Sequence, residues 1–234
     1  MSPSDQSDQY DIRRDFQRVA PEIISALSTF ASSIVADVAG RRGAMHGRIK
    51  ALAPAMRLAG PAFTIDIRPG DNLMIHAAMA MAKPGDILVI DGKGDCGAAL
   101  MGSIMINACK KLGIGGVVID GAVRDTEELR ALGFPVYAVC ANPNGPTKAV
   151  SGRINWPISC GGIALEPGDF VIGDADGIVV VERTKAAGLI PLATQKVADE
   201  QKRLADIAIG RDIRPKWLEG ALRAAGVLKD GESL

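Results

Sequence analysis

Apolar residues recur along this chain with two periods, and the switch between them outlines the fold. Over residues 21–39, Ile23, Ile24, Leu27, Phe30, Ile34, Val35 and Val38 fall at helical spacing and predict one helix, ended by the loop Gly40-Arg41-Arg42-Gly43. Residues 57–68 (RLAGPAFTIDIR) alternate toward their end as a strand does, and Pro69-Gly70-Asp71 turns the chain. A small-residue helix follows over 73–82, stopped by Lys83-Pro84-Gly85-Asp86. Uninterrupted apolar runs at 86–91 (DILVID) and 116–120 (GVVID) read as buried strands. Between them, after a glycine loop, residues 103–112 form a helical pattern closed by Gly113. Beyond them TEELRAL, from Thr126, is a short helix and 134–139 a further strand. Strands alternating with helices in this way mark parallel βαβ units.

From Asn142 the pattern changes to short apolar runs broken by glycine and proline, which read as strands joined by turns. Pro-Gly-Asp occurs at 69, 84 and 167, each time entering an apolar segment, as a strand-edge turn rather than a sequence repeat. A long charged helix over 184–209 carries Leu189, Ile190, Leu192, Val197, Leu204 and Ile207, a stripe suited to covering another subunit. The pattern predicts an α/β fold: a single domain over 21–234 with a mixed sheet, and a C-terminal helix and tail from 184. Residues 1–20 are expected to form a flexible N-terminal segment.

Composition narrows the possibilities. Apolar residues make up 47% and aromatics 4%, so the core is aliphatic. Basic and acidic residues balance at 27 each with no basic run, which argues against nucleic-acid binding. The N-terminus is polar and acidic where a secretory signal would be apolar, and uncharged stretches are too short to span a bilayer. A soluble, cytoplasmic protein with no membrane partner is expected. Cys96, Cys109, Cys140 and Cys160 are widely spaced and read as buried small hydrophobes. With His46 and His76 the only histidines, soft ligands are too few for zinc, so any metal should be held through oxygens.

Candidate chemistry gathers at GGVVIDGAVRD, residues 115–125. Arg124 and Asp125 lie just beyond a core strand, where open α/β sheets place ligands. Arg124 offers a fork for a carboxylate or phosphate, and Asp125 a hard oxygen for a divalent cation. A surface ion pair with Asp125 capping the next helix explains the same dipeptide. Gly92, Gly94 and Gly97 fit G-x-G-x-x-G after a strand, with Asp120 23 residues further on, close to a dinucleotide fingerprint. Against that, Gly102 interrupts the helix that should follow, and Lys93 and Asp95 put charge in the loop. The competing arrangement starts the helix at Gly102-Ser103, with Ser103 as N-cap and the amides of Ile104 and Met105 facing an anion. A 2-oxo acid would suit amides, guanidinium and a cation on Asp125 together.

The segments GDxxxIDGxGD, GSIMINACKKLGIGGVVIDGAVRDTEELRALGFPVYA and GPTKAVSGRINWPISCGGIALEPGDFVIGDADGIVVV, with RPGDNLMIHAA at 68–78, resemble the RraA-like family. Within it the chain is most similar to the class II aldolases of 4-hydroxy-4-methyl-2-oxoglutarate and 4-carboxy-4-hydroxy-2-oxoadipate. The resemblance implies a swivelling β/β/α fold, a homotrimer or homohexamer with sites between subunits, and Mg²⁺ or Mn²⁺. It implies a 2-oxo acid substrate, and many members also decarboxylate oxaloacetate. Carried over, Arg124 binds the carboxyl and keto region and Asp125 holds the metal. The backbone of Gly102, Ser103, Ile104 and Met105 cradles the pyruvyl carboxylate, and Glu200, or Asp199 beside it, comes from a neighbouring subunit to orient water at the metal. One departure stands out. The aldolases carry an acid 21 positions before the arginine, where this chain has Ser103. A related branch comprises non-catalytic ribonuclease regulators that lack the metal-binding aspartate.

Overall fold

The computed structural model describes residues 12–211, 213–229 and 231–234. It divides into two compact units, Met1–Pro191 and Leu192–Leu234. In chain order the first unit contains helices α1 (Pro21–Leu27) and α2 (Ser32–Val38), strands β1 (Lys50–Ala51) and β2 (Leu58–Asp66), helix α3 (Leu73–Met81), strand β3 (Ile87–Met101), helix α4 (Ser103–Lys111), strand β4 (Gly116–Val123), helix α5 (Thr126–Leu132) and strand β5 (Val136–Ala141). Short strands β6 (Arg153–Ile154), β7 (Ile158–Cys160), β8 (Ile163–Leu165), β9 (Phe170–Gly173) and β10 (Ile178–Val181) follow, then helix α6 (Arg183–Ala208), which crosses into the second unit.

The expected mixed sheet is present, in the order β1-β5-β4-β3-β2-β9-β10. β2, β3, β4 and β5 are parallel, as the βαβ pattern required, whereas β1, β6, β9 and β10 pair antiparallel. Helices α3, α4 and α5 cover one face, with Ile75, Ile106 and Leu129 packed on Ile65, Ile90 and Ile119. The hairpin of β7 and β8 belongs to the opposite face, where Cys160 and Leu165 meet Val89, Val118 and Tyr137. A third cluster joins Leu27 and Val35 to Phe170 and to Ala186 at the start of α6.

Three readings of the pattern need correction. The helix expected over 21–39 is two helices, because Ser28 and Thr29 turn their hydroxyls onto the carbonyls of Ser25 and Ala26 and end the first. The glycine loop is not a loop: residues 92–97 lie inside β3, which runs on to Met101 with shifts of register against β4. Glycine serves close backbone approach there, since a Cβ on Gly92 would lie 2.6 Å from the Asp120 carbonyl oxygen. The first Pro-Gly-Asp turn enters a helix rather than a strand, yet all three share left-handed glycines and buried aspartates.

Of the segment expected to be flexible, residues 1–11 lie outside the described residues, and residues 12–20 pack on the fold. Ile12 bridges to Ile154, Phe16 meets Phe63 edge-on at 5.9 Å, and Arg18 clasps Asp86 at 2.7 and 2.8 Å. Cys109 and Cys160 are buried thiols as expected, but Cys96 and Cys140 are half-buried and joined as a disulfide between β3 and β5. The second unit holds the end of α6 and the helix α7 (Leu218–Ala224), with Leu204, Ile207, Ile209 and Trp217 exposed. Among the described residues no helix is long and apolar enough to cross a membrane.

Candidate active site

β4 is buried along its whole length and delivers the chain to Arg124 and Asp125 at its carboxyl end. Asp125 adopts the left-handed conformation (φ 56°, ψ 41°), which aspartate tolerates better than most residues. It occupies the N-cap position of α5 without capping it. Its carboxylate turns back instead, and Oδ2 accepts the Ser103 N–H of α4 at 2.9 Å. Ser103 is therefore the first residue of α4 and not its cap, which corrects the sequence expectation; the cap position belongs to Gly102. The φ of Gly102 is an ordinary −140°, so its need for glycine is purely one of space. A Cβ there would stand 2.5 Å from Asp125 Oδ2 and 2.9 Å from Arg124 Cγ.

The same device occurs at α2, and the contrast is informative. Asp174 caps α2 from a distance, with Oδ2 on Ser32 N–H (2.8 Å) and Oδ1 on the Ser32 hydroxyl (2.6 Å) and Asp176 N–H (3.0 Å). Burial alone would raise its pKa, but these bonds hold the carboxyl below its ordinary range. Both of its oxygens are occupied. Asp125 is 35% exposed, and among the described residues nothing donates to its Oδ1. Arg124 is equally uncommitted: it is 43% exposed, and its ion pair with Asp125 is long, at 3.8 Å.

These groups face a cavity of about 330 Å³, a size suited to a small metabolite. Gly102, Ile104 and Met105 line it beside Arg124 and Asp125. The Ile104 and Met105 N–H groups precede the first bond within α4, from Ile106 to Gly102, so both face outward from the helix start. The structure thus brings together six of the seven residues singled out from the sequence. The seventh, Glu200, is in the second unit on α6, where it pairs with Lys196 at 3.2 Å, and Asp199 accepts from Gln195 at 2.9 Å.

Sequence reasoning missed three polar residues of the cavity wall: Asn72, His76 and Lys148. Asn72 is the N-cap of α3 and His76, four residues on, is the one polar residue within that helix, and that spacing was the available signal. The strap carrying Lys148 is held by Asp71, which accepts from the Thr147 hydroxyl (2.6 Å) and the Ala149 and Val150 N–H groups (2.7 and 3.2 Å). Burial pushes the Asp71 carboxyl up, but these bonds and that from Leu73 outweigh it and set it below the usual range.

The dinucleotide reading is overturned. Helix α4 starts well beyond Gly97, and Asp120 is committed to Arg48 (3.0 and 2.8 Å) and to the Gly161 N–H (3.0 Å). Nothing of it remains for a ribose.

The RraA-like family model, described as Aldolase/RraA, matches residues 20–180. The chain belongs to the RraA-like family. A relative in Halalkalibacterium halodurans, named "Putative 4-hydroxy-4-methyl-2-oxoglutarate aldolase", is 37% identical over 182 residues, covering 78% of this chain and 87% of the relative. RraAS2 of Streptomyces coelicolor, described as an unusual member of the RNase ES inhibitor RraA protein family, superposes with a TM-score of 0.74 at 26% identity over 80% of this chain and 98% of its own. The RNA-processing inhibitor RraA of Thermus thermophilis gives 0.60 at 29% identity, over 64% and 92%. Every residue of the RraA-like cavity lies within the matched span. Among the described residues no three His, Cys, Asp or Glu side chains gather as a metal-binding group. Asp125 is the one carboxylate among the residues lining this RraA-like cavity.

Proposed function

We propose that the protein is a divalent-metal-dependent lyase of 2-oxo acids. It cleaves 4-hydroxy-2-oxo diacids of the 4-hydroxy-4-methyl-2-oxoglutarate type to pyruvate, decarboxylates oxaloacetate, or does both through a pyruvate enolate. The observation that carries this reading is Asp125, held in a left-handed turn at a strand end, with only Oδ2 engaged and lining a cavity together with Arg124. The name of the Halalkalibacterium halodurans relative supports the aldolase class.

Mg²⁺ or Mn²⁺ fits the donor set, because such ions accept one carboxylate and complete their shell with water and substrate oxygens. When bound it supplies Lewis acidity toward the keto oxygen. The remaining work belongs to the chain. The Ile104 and Met105 amides receive the carboxylate of the pyruvyl half at a helix start. Arg124 holds the same end and offsets the negative charge that develops as the C3–C4 bond breaks. In retro-aldol cleavage a base takes the 4-hydroxyl proton, the new carbonyl forms, and the electron pair passes into the enolate, which is then protonated to pyruvate. In decarboxylation carbon dioxide leaves without proton removal. Ser103 provides no carboxylate for the base, so that role falls to Glu200 from a neighbouring copy in a homotrimer or homohexamer. The setting we infer is the cytoplasm, with a small-molecule substrate and no nucleic-acid or membrane partner.

Kinship with the two RraA proteins supports a second reading, a non-catalytic regulator that binds a ribonuclease. Arg124 separates the two. Lysine keeps the charge but loses the bidentate fork, so Arg124→Lys should slow pyruvate release about a hundredfold with the fold intact. A wild-type rate in that variant would mean that the arginine is structural.

A further inference from the structure

The cavity runs along the carboxyl edge of the sheet across three neighbouring strands. Arg124 and Asp125 follow β4, the α4 amides follow β3, and Asn72 and His76 follow β2. Two strand spacings separate the ends, roughly 10 Å, which suits a diacid lying lengthwise.

The β2 end is built to recognise something. Asn72 is 2% exposed, and its Nδ2 donates to the Leu100 carbonyl at 2.9 Å and lies 3.4 Å from Met105 Sδ. That fixes which way the amide points and leaves Oδ1 buried without a partner. A buried acceptor left unpaired is costly, and the adjoining cavity is where a donor can arrive. Lys148 is exposed, and among the described residues no carboxylate pairs with it. His76 and Lys148 line the same cavity, and burial, followed by the charge of Lys148, holds His76 below its ordinary pKa. Asp71 keeps them so by clamping the strap on either side of Lys148.

We propose that Asn72, His76 and Lys148 form a distal subsite that selects hydroxylated diacids. Lys148 receives the carboxylate remote from the keto group, and Asn72 Oδ1, with His76 beside it, accepts the hydroxyl. This rests on the placement of the pyruvyl half at Arg124 argued above. Asp71 is a positioning residue that acts through the strap.

Binding of pyruvate and of 2-oxoglutarate to the Mg²⁺-loaded full chain, by calorimetry, separates the two ideas. Pyruvate reaches only the Arg124 end, whereas 2-oxoglutarate adds the second carboxylate. Lys148→Met, a change at an exposed position, should weaken 2-oxoglutarate about tenfold while pyruvate shifts less than twofold. Asn72→Ala should spare 2-oxoglutarate, which has no hydroxyl, and lower kcat/KM for 4-hydroxy-4-methyl-2-oxoglutarate by about tenfold. Equal effects on both acids, or none on 2-oxoglutarate, in Lys148→Met would overturn the subsite while leaving the Arg124 end in place. If wild-type protein binds neither acid, the lyase reading fails and the subsite with it.

Discussion

Ser103 shows how much a single position can decide. Its N–H is held by Asp125 and its side chain begins α4, where an added acid favours the positive helix end. Ser103→Asp should therefore fold. It would also set a second carboxylate beside Asp125, a repulsion that a divalent cation relieves. A base close to the 4-hydroxyl is commonly worth a hundredfold or more, and decarboxylation needs none. Ser103→Asp should then raise retro-aldol cleavage relative to oxaloacetate decarboxylation, read as the ratio of the two initial rates. An unchanged ratio would show that position 103 does not reach the 4-hydroxyl, and a dead Glu200→Gln variant would then leave the base to Glu200 alone.

At the scale of elements, the strap at 147–150 is the part most open to test by pH. The Asp71 carboxyl is more acidic in the folded chain than in the unfolded one, where about 3.9 is usual. Its contribution to stability is therefore complete above that value and is lost as pH falls through the lower folded value. Thermal melts of wild type and Asp71→Asn between pH 2 and 7 should converge on the acid side, with the wild-type curve the steeper. Parallel curves would show that the bonds to Thr147, Ala149 and Val150 carry no such linkage. The sequence made the elements under this strap readable because periodicity registers burial, and the parallel strands and α3 to α5 are buried on a regular face. It hid what depends on distant partners. Both α2 and α4 are capped by aspartates far along the chain, so a search for local caps selected Ser103. The glycines of β3 looked like a phosphate loop because close strand packing and a pyrophosphate both require a missing Cβ. Lys148 carried no local mark at all.

At the scale of the whole molecule, the second unit leaves Leu204, Ile207, Ile209 and Trp217 in water, while Leu189, expected in the same stripe, is buried in the first unit. Ile104 at the cavity is 83% exposed. Large apolar side chains left open at a candidate site and in the second unit fit a closed assembly of copies. Light scattering should report a trimer or hexamer, with activity falling on dissociation. A fully active monomer would remove Glu200 from the mechanism. The central claim, however, concerns Asp125, and pyruvate release from 4-hydroxy-4-methyl-2-oxoglutarate and from oxaloacetate tests it most directly. With Mg²⁺ the wild-type protein should release pyruvate from at least one of them, and both chelator and Asp125→Ala should abolish it in a chain that still folds. Undiminished turnover in excess chelator or in Asp125→Ala would contradict the account.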